Sequence, residues 1–226
     1  MSKNNRILFV EGIDDQHTIW AICQHLEIDE TFKIEIPDGE GKIPTKDSRK
    51  NELGGIDNVL KAAQLNLIAG SSAVERVGIV IDADEDINTR WQSVASILSK
   101  AGYINLPTSP DSDGTIIEQK YLPTFGVWIM PDNQIERGYL ETFLTFLVPE
   151  NNKSWEHAKN SVSALEDKPF VKQNSDRTTK AEIHTFLAWQ EEPGKPFGQA
   201  ITAKYLQTGN PNCEKFVEWL KRLFVE

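Results

Sequence analysis

Short apolar runs alternate with segments of helical periodicity through about the first two-thirds of the chain. The apolar runs are rich in β-branched residues, as expected for strands buried in a sheet, and they occupy residues 6–10, 32–36, 76–81 and 124–130. Between them, apolar residues recur at the spacing of amphipathic helices, from about residue 14 to 26 and at 56–67, 91–101 and 138–146. This alternation predicts an α/β fold in which helices flank a parallel sheet on both faces.

Helical periodicity dominates the chain beyond residue 150. The helical segments are separated by polar loops and cover about residues 154–166, 180–190, 198–206 and 214–225. We therefore predict two parts, an α/β domain at residues 1–150 and a helical C-terminal extension at residues 151–226 that packs on it.

Acidic side chains directly follow two of the predicted strands. Glu11 comes after the strand at 6–10, and Asp82 and Asp84 come after the strand at 76–81. Because ligands of open parallel sheets bind beyond the carboxyl ends of the strands, these carboxylates are expected to converge at one edge. Carboxylate oxygens suit Mg²⁺ or Mn²⁺. The sequence thus predicts a metal site in which Glu11, Asp82 and Asp84 are ligands, with general base as an alternative role for Glu11.

Each acidic motif also has a structural interpretation. A glutamate after a strand is often solvated or caps a helix, and the acidic run 82–86 is compatible with a turn in which Asp86 caps the next helix. The position of both motifs directly after buried strands favours the metal site.

Composition limits the partners and the location of the protein. The 226 residues carry a formal net charge of −10, which repels nucleic acid and anionic membranes at long range, although bound cations invert the local field. The charge therefore argues against a high-affinity, non-specific nucleic-acid coat protein. The two cysteines are too few for a disulfide framework, and we expect them to be reduced thiols. The apolar N-terminal run is too short for a signal peptide, and no run of about 18 apolar residues occurs. We therefore expect no membrane span and a cytoplasmic location.

A basic stretch lies in the long loop predicted at residues 37–55. It contains Lys42, Lys46, Arg49 and Lys50. Beside a metal site, such a loop is suited to contact phosphates, and the alternative is an ordinary solvated loop.

The acidic motifs resemble the signature of the Toprim family. Glu11-Gly12 with Asp15, followed about 70 residues later by Asp82-Ala83-Asp84, is similar to the glutamate and Asp-x-Asp of Toprim domains. These domains occur in topoisomerases, bacterial primases, a ribosomal-RNA maturation nuclease and the overcoming-lysogenization-defect (OLD) nucleases. The resemblance implies a compact parallel core over about residues 5–135, with Glu11, Asp82 and Asp84 as metal-binding and catalytic acids.

Later motifs resemble an uncharacterised bacterial family of Toprim-like proteins. They are WIMPDN at 128–133, GYLE at 138–141 and TKAE at 179–182. OLD-type nucleases carry a further glutamate and a lysine after the Asp-x-Asp, so the resemblance implies catalytic roles for Glu141 and Lys180. Lys180 would stabilise charge on a transferred phosphoryl group. The alternatives are a Glu141 that favours a helix dipole and a solvated Lys180.

The resemblance implies a Mg²⁺- or Mn²⁺-dependent phosphoryl- or nucleotidyl-transfer enzyme, most similar to nucleases that hydrolyse nucleic-acid phosphodiesters. OLD-type proteins usually carry an ATPase domain, whereas this sequence has no GxxxxGK[ST] loop. Any nucleotide motor is therefore expected on a separate partner protein. Two alternatives stay open, a non-catalytic Toprim-like module that binds a nucleotide or a partner, and an enzyme acting on a small phosphate compound.

Overall fold

A five-stranded sheet forms the centre of the protein. The computed structural model describes residues 5–44, 53–68, 74–172 and 175–225. The sheet has the order β2-β1-β3-β5-β4, and only β4 runs antiparallel to its neighbour. Its strands are β1 (Arg6–Val10), β2 (Lys33–Glu35), β3 (Arg76–Asp82), β4 (Thr115–Ile117) and β5 (Thr124–Met130). The predicted α/β fold with a mostly parallel sheet is confirmed, and β4 is an edge strand that the sequence analysis did not predict.

Helices cover both faces of this sheet. They are α1 (Ile13–His25), α2 (Ile56–Ile68), α3 (Ile87–Ala101), α4 (Leu140–Phe146), α5 (Lys153–Ser163), α6 (Thr178–Ala188), α7 (Phe197–Thr202) and α8 (Pro211–Phe224). A short hairpin of β6 (Val171–Lys172) and β7 (Ser175–Asp176) precedes α6. Helix α3 begins four residues before its predicted start because Asp86 caps it and accepts hydrogen bonds from the N–H groups of Asn88 and Thr89.

The register of the three central strands brings their carboxyl ends together. Strands β1 and β3 pair in parallel up to Val10 and Val80, and β3 and β5 pair in parallel up to Asp82 and Met130. The residues that follow β1 and β3 therefore lie at the same edge of the sheet, as the sequence analysis expects.

Helix α8 lies against the sheet where two paired strand residues are glycine. Gly78 of β3 pairs with Gly126 of β5. A Cβ atom at Gly126 would lie 2.4 Å from Cδ2 of Leu223, and one at Gly78 would lie 2.8 Å from Cζ of Phe224. Because α8 also shares one hydrophobic core with β1 and β5, both predicted parts of the chain build this core. The division at residue 150 stays a prediction.

Two further expectations concern cysteines and membrane spans. Cys23 and Cys213 are both buried free thiols, and burial raises the pKa of each to about 12. Both are therefore protonated at neutral pH and poorly nucleophilic.

Within the described ranges, no helix is both long and apolar enough to cross a membrane.

We expect Gly126→Ala to lower the free energy of unfolding by about 1–3 kcal/mol, since the new methyl group overlaps Leu223, which is fully buried and has no free space to move into. Urea denaturation measures the change. Gly209→Ala is the matched control, because its Cβ would meet no atom within 4 Å. Equal stability of the two variants would contradict the close approach of α8.

Candidate functional site

Glu11 is held at the edge of the sheet by contacts from two directions. Its Oε1 accepts a hydrogen bond of 2.8 Å from the backbone N–H of Asp82, so the side chain crosses from β1 to β3. Its backbone carbonyl accepts a hydrogen bond of 2.8 Å from the N–H of Gly55. Gly54, with φ +76°, approaches so closely that a Cβ atom there would lie 2.0 Å from the carbonyl oxygen of Glu11. The loop before α2 therefore fixes the turn that carries Glu11.

Asp82 is the last residue of β3 and points toward the start of α4. Its Oδ1 accepts a hydrogen bond of 3.0 Å from the N–H of Leu140, one of the first-turn donors that a helix leaves without an internal partner. Glu141 follows in the same turn and is 6% exposed. Strand β3 and helix α4 thus place two carboxylates side by side.

Asp15 and Lys180 complete this neighbourhood. Asp15 lies in the first turn of α1 and is buried, at 9% exposure. Lys180, in the first turn of α6, forms an ion pair with Glu141 through a side chain that is 47% exposed. We call Glu11, Asp15, Asp82 and Glu141 the acidic cluster. The structure brings Glu141 and Lys180 to the predicted site. It adds Asp15, which the sequence places in the Toprim-like motif but not among the predicted metal ligands.

Burial favours the protonated forms of Glu11, Asp15 and Asp82, and the charges of neighbouring acids add to this for Asp15 and Asp82. Desolvation, followed by the charges of Asp15, Glu11 and Glu141, holds the pKa of Asp82 well above its usual range. Desolvation and the charges of Glu11 and Glu141 raise the pKa of Asp15 to about 7. Desolvation also raises the pKa of Glu11, against the hydrogen bond from Asp82. A cation bound among these groups would relieve the repulsion and displace the protons.

The side chain of Asp84 points in a different direction from that of Asp82. It adopts the left-handed conformation, with φ +51°, and its N–H and C=O each bond to Gly138 at 3.0 Å. Its carboxylate forms an ion pair with Arg90. It lines what we call the side cleft, whose polar walls are Asp84, Glu85, Asp86, Arg90, Tyr139 and Arg177. The predicted role of Asp84 as a metal ligand stays a prediction, and it requires the carboxylate to leave Arg90.

The donor chemistry of the acidic cluster fits a hard divalent cation, because its side chains offer only carboxylate oxygens. The present side-chain positions do not form a coordination shell. In the parts of the chain that the structure describes, no three His, Cys, Asp or Glu side chains are grouped so that they hold a metal ion. Binding therefore requires rotation of side chains such as Glu11, whose Oε1 is engaged by the N–H of Asp82.

One of the four cations of the predicted basic loop, Lys42, lies among the described residues. Lys42 pairs with Glu40 on the surface, with 2.6 Å between Nζ and Oε2. Lys46, Arg49 and Lys50 lie outside the described residues. Phosphate binding by this loop stays a prediction.

One protein family covers nearly the whole chain. The family described as "Protein of unknown function (DUF3226)" matches residues 5–225. The chain belongs to this family. No curated protein and no solved structure matches the chain. The DUF3226 match includes Glu11, directly after β1, and Lys180 of α6, so the whole candidate site lies inside the matched region. The resemblance to Toprim domains stays a prediction.

The raised pKa of Asp15 predicts that the protein loses stability as the pH rises from about 4 to about 7. Its pKa is about 7 in the folded protein against a usual 3.8, so over this range the folded state keeps a proton that the unfolded chain has released. Asp15→Asn removes this titration, and the profile should flatten by up to about 1.4 kcal/mol per pH unit. Urea denaturation at several pH values measures the slope.

Asp14→Asn is the control for this experiment. Asp14 is exposed in the same turn of α1, so its replacement removes the same charge without touching the acidic cluster. A slope that Asp15→Asn leaves as steep as in the wild type would refute the assigned electrostatics.

Proposed function

We propose that this DUF3226 protein is a divalent-metal-dependent phosphoryl- or nucleotidyl-transfer enzyme that hydrolyses nucleic-acid phosphodiesters. The main support is the acidic cluster, in which burial and repulsion raise the pKa of Glu11, Asp15 and Asp82 at the carboxyl edge of the sheet. Groups that cannot all ionise together in a partly dry site are the groups that a cation stabilises most.

Mg²⁺ or Mn²⁺ is the proposed cofactor, with Glu11 and Asp82 as its principal ligands. Asp15 and Glu141 are the nearest further donors, since their charges act on Asp82. A divalent ion bound there would polarise the scissile phosphate and lower the pKa of an attacking water. Asp84, the third acid of the predicted set, would join the ligands once its carboxylate separates from Arg90.

The side chains around the ion have distinct proposed roles. The pKa of Glu11 is raised by burial, which brings it closer to the pH at which a carboxylate is an effective general base. Lys180 is half-exposed and already beside the site through Glu141. During the reaction, the ammonium group of Lys180 would leave Glu141 and stabilise the negative charge that develops on the transferred phosphoryl group. Before the reaction, Glu141 positions Lys180.

A non-catalytic module is the second candidate, and one observation favours it. The carboxylates of Glu11 and Asp84 already have partners in the protein, the N–H of Asp82 and the guanidinium of Arg90. A site whose ligands are satisfied in this way is suited to hold a nucleotide or a partner protein without chemistry. A separate ATPase partner belongs to this candidate as well as to the first.

Metal binding tests the site itself. We expect Mg²⁺ and Mn²⁺ to bind the wild type in titration calorimetry, and Asp82→Asn to weaken binding more than tenfold, about 1.4 kcal/mol. The asparagine keeps the shape and the oxygen that faces the N–H of Leu140, so folding is preserved while a charged ligand is lost.

Asp14→Asn provides the control with the same charge change, and it should bind as the wild type does. Comparison of Asp15→Asn with Asp84→Asn then shows which acid completes the ligand set. No heat of binding at millimolar metal concentration would contradict the proposed metal site.

Catalysis requires a separate test with labelled DNA, RNA and nucleotides in the presence of Mn²⁺. We expect Lys180→Ala to slow cleavage by on the order of 10²-fold, the typical cost of removing one transition-state donor, with little change in metal affinity. Lys153→Ala, at an exposed lysine of α5, is the control. If no substrate is cleaved although the metal binds, the non-catalytic module is the correct function.

A further inference from the structure

The side cleft is lined by residues that adjoin the acidic cluster in sequence. It has a volume of about 450 Å³, within the range of roughly 300–1,000 Å³ that is usual for ligand pockets. Two of its walls are direct continuations of the cluster, since Asp84 is two residues beyond Asp82 and Tyr139 is two residues before Glu141. Arg177 forms a third wall, three residues before Lys180. The same chain segments therefore hold the cleft and the proposed metal ligands.

The acidic groups of the side cleft are already committed within the protein. Asp84 is paired with Arg90. Glu85 lies 3.4 Å from Nη1 of Arg137, measured from its Oε2. Asp86 caps helix α3 and accepts hydrogen bonds from the N–H groups of Asn88 and Thr89. Two of the three carboxylates are thus paired with arginines, and the third is held in place by the start of α3.

Arg177 is a positively charged residue that lines the side cleft. It is exposed at the start of α6, and it forms no ion pair with any residue in the described part of the chain. A guanidinium offers five N–H donors in a planar fork that matches phosphate oxygens. Arg177 is therefore a positive group that is available to an anion in the side cleft, although the whole chain carries −10.

An aromatic ring lies in the same wall. Tyr139 donates its hydroxyl to Oε1 of Glu85 at 3.1 Å, which fixes the ring beside the cleft. Aromatic rings next to cationic groups are a common feature of sites for single nucleic-acid strands, because bases stack on them without regard to sequence. An arginine with no ion-pair partner among the described residues, together with a fixed tyrosine, suits a nucleotide unit better than a bare anion.

We propose that the side cleft binds a phosphate group of the substrate adjacent to the phosphate at the acidic cluster. Arg177 contacts it directly, and Arg90 contacts it after exchanging Asp84 for the phosphate. The inference rests on the proposed function in that the ligand is taken to be the substrate of the metal site. Nothing in this exchange forms or breaks a covalent bond.

Salt-dependent binding tests the proposal directly. Fluorescence anisotropy follows a labelled single-stranded oligonucleotide and a labelled mononucleotide over a range of salt concentrations, with Ca²⁺ present to neutralise the carboxylates. Each lost phosphate contact makes the plot of log K against log salt shallower by about 0.7–1. We expect this loss of slope, with weaker binding, in Arg177→Ala and in Arg90→Ala, and its recovery in Arg177→Lys.

Lys100→Ala is the matched control. Lys100 is exposed on the same helix as Arg90 and ten residues further along, about 15 Å at 1.5 Å per residue, so it removes one positive charge away from the cleft. Its slope should equal that of the wild type. Whichever labelled probe shows the dependence on Arg177 identifies the source of the phosphate. The proposal is overturned if the slope is unchanged in Arg177→Ala, or if Lys100→Ala loses as much slope as Arg177→Ala. It is also overturned if neither probe binds.

Metal calorimetry on the same preparations separates this inference from the proposed function. If Mn²⁺ binds and Arg177→Ala leaves the slope unchanged, only the phosphate site is wrong. If the slope depends on Arg177 but no metal binds, the phosphate site stands and the metal-dependent enzyme is wrong.

Discussion

The arrangement of the site depends on the repulsion among carboxylates that the parallel strands bring to one edge of the sheet. Strands β1 and β3 end side by side, so Glu11 and Asp82 meet regardless of the 70 residues between them. Asp15 and Glu141 join them from the first turns of α1 and α4. Since Glu11, Asp15 and Asp82 are largely removed from water, their ionisation is disfavoured. The fold thus gathers four acids at one edge, where Lys180 pairs with Glu141 and protons, or in the proposed function a cation, balance the other three.

The C-terminal helices are part of this arrangement. Helix α8 fits against the sheet at Gly78 and Gly126, and α6 packs on α4. This second contact places Lys180 beside Glu141 and Arg177 in the side cleft. Two positive groups of the site, Lys180 and Arg177, therefore come from the last third of the chain, whereas Arg90 and the acids come from the first two-thirds. A single DUF3226 domain over residues 5–225 agrees with this division of roles.

The sequence was sufficient to predict the central strands and the edge where their acidic residues meet, because long apolar runs and strand order determine both. Strand β4 was missed, since its three residues are too few to show a period. Asp15 was noted as part of the Toprim-like motif but was not expected in the metal site, because its burial depends on contacts remote in sequence. Asp84 was expected to converge with Glu11 and Asp82 at one edge, but its left-handed backbone turns it toward Arg90. A pattern of spacing alone does not contain these tertiary contacts.

The separation of Asp84 from the acidic cluster gives the site two compartments. The cluster has the oxygen donors for a metal, and the side cleft has the arginines for phosphate. If Arg90 exchanges Asp84 for a phosphate, the same movement releases Asp84 as a further donor near the metal. In this account, substrate binding and completion of the ligand set are linked through one ion pair.

The most direct test of the metal site is a crystal structure of the protein soaked with Mn²⁺, in which the anomalous scattering of the ion shows its position. The account predicts one anomalous peak or a close pair of peaks at the carboxyl edge of the sheet. Carboxylate oxygens of Glu11 and Asp82 should lie about 2.1 Å from the ion, the distance usual for Mg²⁺, with Glu11 turned away from the N–H of Asp82. Absence of a peak there, with Glu11 still bonded to that N–H, would contradict it.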